Sequence, residues 1–307
     1  MLSVRLNRSP RNNGTGALVE IAEVPRPEIV APTDAVLMVT TTAIGPWDIA
    51  AAARAGNAVS TPGTQFVGIV VEIGEAVTSV NIDDLVVARS VVPTGDNGTL
   101  QLFGSGNLDG GHAEYVRVPH ADETLTRTTA ASEERSVFAG GAAAQGIAAA
   151  EEALKLAADK PVLVIGCDAA GLTALAWLKH RRGKGNISLV LEPHAAKLAA
   201  GKAYGAAPVE AGDIASHAPA IVIITAGMAI PELPARTAAI STEPGSSEHA
   251  LPWPTLEQVR RAEMAIRLRQ VDLTPLVSTV LPLDEAAEAY RVAIDAPPGA
   301  RSVLLKP

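Results

Sequence analysis

Between residues 161 and 225 the chain alternates short apolar runs with helical segments, and this rhythm constrains the fold more than any other feature. Residues 161–165 read as a strand, 166–171 as a turn and 172–182 as a helix. A second strand follows at 187–191, a second helix at 195–204 ending at Gly205, and a third strand at 221–225. Apolar strands separated by helices need cover on both faces, which a parallel sheet with helical crossovers provides. The turn Gly166-Cys-Asp-Ala-Ala-Gly171 stands between strand and helix, the context that a dinucleotide-binding fingerprint requires. Gly166 permits the tight turn and Gly171 close helix–strand packing. The middle position, where a glycine would let a pyrophosphate reach the backbone, is Asp168. Glu192 ends the second strand, somewhat beyond the usual ~20 residues, with the extra length in Gly183-Lys-Gly-Asn186. Such a carboxylate accepts from a ribose hydroxyl, which favours NAD over NADP as cofactor.

The first part of the chain has a different texture. Residues 17–130 read as β-rich, with strands at 36–42, 66–73, 85–88 and 113–118. Gly and Asn crowd 95–111, which reads as a loop, and 130–158 turns helical and Ala-rich. Residues 255–269 form an amphipathic helix. The tail carries a strand, a helix at 284–294 and a last strand at 301–305. With 307 residues the chain exceeds what one core usually serves, so two domains are expected. Aromatics are only 3%, which leaves Ala, Val, Leu and Ile to fill the interior. A net charge of -8 without a basic cluster argues against nucleic acid as a partner. The polar start, residues 1–13, has no apolar run behind it, so neither a signal peptide nor a membrane span is expected and a cytoplasmic location is. One cysteine, Cys167, excludes an intramolecular disulfide and a thiolate metal cluster.

Several stretches together resemble the medium-chain dehydrogenase/reductase superfamily, in particular its zinc alcohol and formaldehyde dehydrogenase branch. They are Glu23-Val-Pro-Arg-Pro27, Gly63-Thr-Gln-Phe-Val-Gly68, Val70-Val-Glu-Ile-Gly74 and Asp109-Gly-Gly-His-Ala-Glu-Tyr-Val-Arg-Val-Pro119. The end matches too, with Leu281-Pro-Leu-Asp-Glu-Ala-Ala-Glu-Ala-Tyr290 and Arg301-Ser-Val-Leu-Leu305. The resemblance implies an α/β protein: a GroES-like β-rich domain over 1–135, completed by 274–307, and a Rossmann-type doubly wound parallel sheet over 136–273. It places an active site in the cleft between them. Lys197 and Arg301 match positions that contact the adenosine ribose and the pyrophosphate.

The zinc ligands of that family are not kept. Gly45 stands at the cysteine position, Thr64 at the histidine position, and the third ligand falls near Gly141; Gln65 replaces a neighbouring glutamate. Glycine offers no donor and zinc needs three protein ligands or more, so no zinc is expected. The loop 94–107 also lacks the four cysteines of the structural zinc lobe. Trp47 takes the place of the proton-relaying Ser or Thr, and it either walls a substrate pocket or fills volume. Asp48, Gln65, Gln145, His112 and Tyr115 are the polar groups expected to reach the cleft. Asp48 has a second reading, as a cap of the helix beside it; His112 and Tyr115 have one in packing and loop hydrogen bonds. Zinc-less quinone and enoyl reductases, whose Pro-x-Asp resembles Pro46-Trp-Asp48, show that the fold delivers hydride without a metal.

Between Gly227 and Thr255 the family's helix, strands and dimer edge are replaced by a Pro- and Ser-rich stretch in which only 237–241 could be a strand. A trimmed sheet, and a monomer or a dimer built on another surface, is therefore expected. The sequence reading is a zinc-independent oxidoreductase passing hydride between NAD or NADP and a small carbonyl or enone. The alternative is a repurposed member with a non-redox activity, or a ligand-binding pseudoenzyme.

Overall fold

The computed structural model describes residues 1–8, 17–54, 61–94, 99–157, 159–183, 188–225, 228, 231–234, 237–244, 250–295 and 302–307. They form two compact units, one drawn from 1–141, 277–295 and 302–307, the other from 142–276.

In the first unit, β1 (Leu2–Arg8) and β2 (Ala17–Glu23) pair antiparallel. The first of these was not expected from the polar start. Its alternating Leu2, Val4 and Leu6 are the signal, and Val4 and Leu6 are buried against Ile44, Leu283 and Tyr290. A larger sheet contains β3 (Ala35–Ile44), β4 (Gln65–Ile73), β5 (Leu85–Ala88), β8 (Tyr115–Val118), β9 (Leu125–Arg127), β15 (Val277–Pro282) and β16 (Ser302–Lys306). Its order is β15-β16-β3-β4-β5-β9, with β8 also pairing β3. The β3 strand is the spine, bonded to β4, β8 and β16, so the tail of the chain completes the sheet begun near residue 35. Ala35, Leu37 and Val39 follow the period of two into a core with Phe66, Phe103 and Leu125.

Residues 99–111 of the Gly- and Asn-rich stretch are more ordered than that content implied. A strand, β7 (Thr99–Leu102), pairs antiparallel with β6 (Val91–Thr94). Phe103 then meets Phe66 edge to face at 5.0 Å, which fastens the hairpin to the core. The helices of this unit are α1 (Pro46–Arg54), the single turns α2 (Ala121–Thr124) and α3 (Glu133–Ser136), and α9 (Ala286–Asp295). The long helix expected from residue 130 begins only at Ala142; short turns fill the space before it.

In the second unit five parallel strands lie in the order β12-β11-β10-β13-β14. They are β10 (Val162–Ile165), β11 (Ser188–Leu191), β12 (Ala207–Pro208), β13 (Ile221–Ile224) and β14 (Ala238–Ser241). Val162, Leu163, Val164 and Ile165 are all fully buried, as a central parallel strand requires. Among the described residues its α-helices are α4 (Ala142–Leu156), α5 (Ala169–Arg182), α6 (Ala195–Ala203), the single turn α7 (Ile214–His217) and α8 (Leu256–Arg267). The start of α8 is fixed by a capping box in which Thr255 and Gln258 bond each other's backbone. Strand order reverses between β10 and β13, the place where open α/β sheets present a crevice. Among the described residues no helix is long and apolar enough to cross a membrane.

A buried hydrogen bond ties the first unit's tail to its loop. His112 Nδ1 lies 3.0 Å from the Tyr290 hydroxyl, and Nε2 lies 3.3 Å from the Ala43 carbonyl. Because a carbonyl only accepts, Nε2 carries the proton and Tyr290 donates to Nδ1. Burial holds the His112 imidazolium pKa below the usual histidine value, so the ring stays neutral. The Tyr290→Phe substitution leaves Nδ1 without its donor and is expected to lower unfolding free energy by about 1–3 kcal/mol in denaturant titrations. An unchanged midpoint and slope would show that the bond contributes nothing.

Candidate functional site

Two polar clusters stand out, one in each unit. In the first, β3 ends at Ile44, and Gly45 and Pro46 lead directly into α1. Proline at the first helical position needs no N–H partner there. Asp48, in the first turn, reaches back to the Gly45 N–H with Oδ2 at 2.9 Å. Its Oδ1 accepts from Gly63 N at 3.0 Å and Thr64 N at 3.2 Å. The carboxylate is 1% exposed, and its bonds tie the end of β3 to the start of β4. Trp47, in the same turn, is half-buried.

Gln65 opens β4 and is 7% exposed. Its amide lies against both glycines. A Cβ at Gly45 would stand 3.2 Å from Gln65 Nε2 and 3.5 Å from Asp48 Oδ2. A Cβ at Gly141 would stand 2.5 Å from Ser90 Oγ and 3.4 Å from Gln65 Oε1. Ser90, which no sequence pattern marked, has its backbone fixed by Gly140 and Phe103. Its hydroxyl has no hydrogen-bond partner among the described residues. Metal fit can be judged from these donors. Two of the three positions are glycines, and among the described residues no three His, Cys, Asp or Glu side chains converge. The set does not fit zinc.

The remaining polar candidates lie elsewhere. His112 is enclosed with Tyr290, and Tyr115, on β8, carries the Arg26 guanidinium 4.4 Å over its ring. Gln145 belongs to the second unit, where Nε2 donates to the Pro252 carbonyl at 2.9 Å. Its side chain pins the segment before α8 to α4.

The second cluster surrounds the turn between β10 and α5. Gly166 has φ 95°, and its missing Cβ would stand 2.2 Å from Thr225 Oγ1; both facts require glycine. Asp168 is the N-cap of α5, and Oδ1 accepts from Gly171 N at 2.9 Å. Glu192, at the end of β11, accepts from Cys167 N at 2.8 Å and His194 N at 2.9 Å. Lys197, on α6, is 7% exposed beside them. Burial, then the charges of Glu192 and Asp168, push the Cys167 thiol up to about 12, so it is inert at neutral pH. Burial also raises the Asp168 acid, against the Gly171 N–H and Lys197, which pull it down. Arg301 lies outside the described residues.

Residues 31–128 match the alcohol dehydrogenase GroES-like domain. A medium-chain reductase/dehydrogenase of an Acremonium species is 34% identical over 177 residues, 52% of this chain and 59% of that protein. The chain is thus similar to medium-chain dehydrogenases/reductases over about half its length, with their GroES-like domain at 31–128. Zinc-type alcohol dehydrogenase B of Aspergillus flavus is 32% identical over 180 residues, 51% of this chain and 41% of the relative. These alignments span less than two thirds of either relative. Among solved structures, the alcohol dehydrogenase of Thermus sp. ATN1 superposes over the whole of both chains with TM-score 0.79 at 21% identity. The galactitol-1-phosphate dehydrogenase of Escherichia coli does so with TM-score 0.77 at 20% identity. At that identity the likeness is one of fold. Within an alcohol dehydrogenase-like fold, then, this chain places an amide and a hydroxyl between two glycines in one unit, and an aspartate cap at the dinucleotide turn in the other.

Two stability outcomes follow. Gly45→Ala meets only the movable end of Gln65 and is expected to cost less than about 1 kcal/mol, whereas Gly141→Ala, overpacked against Ser90, costs about 1–3 kcal/mol. Adding Ser90→Gly should restore most of that loss; if it does not, the contact is not the cause.

Asp168→Asn keeps the cap and removes the buried charge. A raised folded-state pKa means stability is fully present below the ordinary carboxylate pKa and is lost as pH rises through the folded value. The variant should therefore melt at or above the parent temperature at neutral pH, with the gap closing on acidification. A lower melting temperature at neutral pH would reverse the sign.

Proposed function

We propose that this chain is a zinc-independent oxidoreductase that passes hydride between a nicotinamide cofactor, NAD in preference to NADP, and a small carbonyl or enone. The observation carrying this reading is the β10–Gly166–α5 turn at the reversal of strand order, where the backbone is shaped for a pyrophosphate. The described residues fit the group in kind: Gly166 and Gly171 by close approach, Glu192 and Lys197 toward a ribose. When bound, the nicotinamide would supply or accept the hydride. The protein's part is to orient the other reactant. Gln65 offers amide donors and an acceptor from a buried position, and Asp48 holds the loop that carries Gln65 and Thr64. Trp47 is assigned to a wall of the substrate pocket. The Gly45, Thr64, Gln65 and Gly141 set supports a mechanism without zinc. A cytoplasmic monomer, or a dimer on a surface other than β14, completes the reading; a small molecule, rather than nucleic acid or membrane, is the partner.

A second reading has its own support. Asp168 and Glu192, the residues nearest the expected pyrophosphate and ribose, both spend oxygens on the chain's own N–H groups. That favours a repurposed member, with a cyclisation, isomerisation or elimination activity or only a bound ligand. Two like charges near 4 Å at an effective dielectric of 20 repel by roughly 4 kcal/mol. Even a third of that weakens binding about tenfold.

Fluorescence titration with NADH and NADPH decides between them. The expected result is weak NADH binding by the parent, a clear gain in Asp168→Gly and no stoichiometric zinc by elemental analysis. Failure of both forms to bind would sink the redox reading. One zinc per chain held by the Gly45–Gln65 region would sink its metal-free form.

A further inference from the structure

The start of α5 is faced by two donors whose one acceptor nearby is the Asp168 carboxylate. The Thr225 hydroxyl, 3% exposed, faces the Gly166 turn and has no other hydrogen-bond partner among the described residues. Its nearness to the Asp168 carboxylate helps hold that acid down. Lys197 has a buried stem, and among the described residues its ammonium is seen in no ion pair or hydrogen bond. Buried donors are normally satisfied, so their convergence beside the first N–H groups of a 14-residue helix marks a place for an acceptor. In the chain as it stands, Asp168 is that acceptor, with Oδ1 at 2.9 Å from Gly171 N.

Resting on the dinucleotide reading above, we propose that the α5 N-terminus is a proton-gated pyrophosphate site. The Asp168 carboxylate closes it, and a pyrophosphate enters together with one proton taken up by Asp168. The proton comes from solvent and joins a carboxylate oxygen, no ligand bond breaks, and Thr225 and Lys197 then serve the incoming oxygens. The neutral acid no longer repels the anion and can itself donate to it.

The surroundings push the same way. Burial already raises the Asp168 acid, and a dianion alongside raises it further. The groups facing it are Lys197 from α6, Glu192 from the end of β11, the neutral Cys167 thiol and the uncharged Thr225. His194, the N-cap of α6, is the neighbouring histidine, and its backbone N–H bonds Glu192.

The probe is ADP-ribose, whose pyrophosphate keeps its charge between about pH 5 and pH 8, well away from ordinary carboxylate values. Calorimetric titration of the full chain in two buffers of unequal protonation enthalpy, at constant ionic strength, counts protons. The parent should take up about one proton per ligand, with affinity rising toward about tenfold per pH unit on acidification until Asp168 is itself protonated. Asp168→Asn should bind at least about tenfold tighter near pH 8 and take up none, while His194→Asn should keep the uptake. Should Asp168→Asn fail to fold, Asp168→Ser, which keeps a cap, takes its place. Binding without uptake, uptake that survives the Asp168 substitution, or no binding by either form overturns the proposal. Proton-linked ADP-ribose binding without hydride transfer from NADH would fail the redox reading alone. NADH binding that is pH-independent and equal in Asp168→Asn would fail the gate alone.

Discussion

Backbone N–H groups that neither a sheet ladder nor a helix can serve are the constraint around which both units are arranged. Each is left over where a strand ends and the chain turns, and an orphaned buried donor costs about 1–3 kcal/mol. The chain answers with carboxylates. Asp48 takes the N–H groups of Gly45, Gly63 and Thr64, and so joins the end of β3 to the approach of β4. Glu192 takes those of Cys167 and His194, joining the end of β11 to the turn after β10. Asp168 takes that of Gly171. Charge-assisted bonds of this kind are worth roughly twice a neutral one, which makes three short acids the fasteners of both turns.

That use of acids has a chemical consequence. These carboxylates turn oxygens toward the chain's own backbone N–H groups. The polar groups packed near the two glycines of the first unit are neutral: the Gln65 amide and the Ser90 and Thr64 hydroxyls. Such groups orient and polarise; they do not carry a proton away. In the second unit Asp168 caps the terminus of α5 itself. The scaffold is an alcohol dehydrogenase-like fold. Activity is a property of the grafted site.

Much of the architecture was legible in residue patterns. The run of apolar strands and helices from 161 to 225 implied a parallel sheet, and β10, β11 and β13 form one. The lone candidate strand between 231 and 254 is β14, and the amphipathic stretch 255–269 contains α8. Local patterns misled where contacts were distant. The Gly- and Asn-rich 95–111 stretch hid β7, whose partner and whose Phe103–Phe66 contact are both non-local. The strand at Leu2–Arg8 hid inside a segment whose arginines and asparagines outweighed three alternating apolar residues.

The sequence by itself determined the fold class, the family resemblance and the positions at which glycine or aspartate replaces something else, because periodicity, turn chemistry and chemical type are written residue by residue. Only the tertiary structure decided what those residues do with their atoms. It brought Ser90 against Gly141, Thr225 against Gly166 and Tyr290 onto His112, across 51, 59 and 178 positions of chain. It also turned Asp48, Asp168 and Glu192 toward the backbone. A side chain's partner depends on which distant segments the packed core brings alongside it, and no local pattern encodes that.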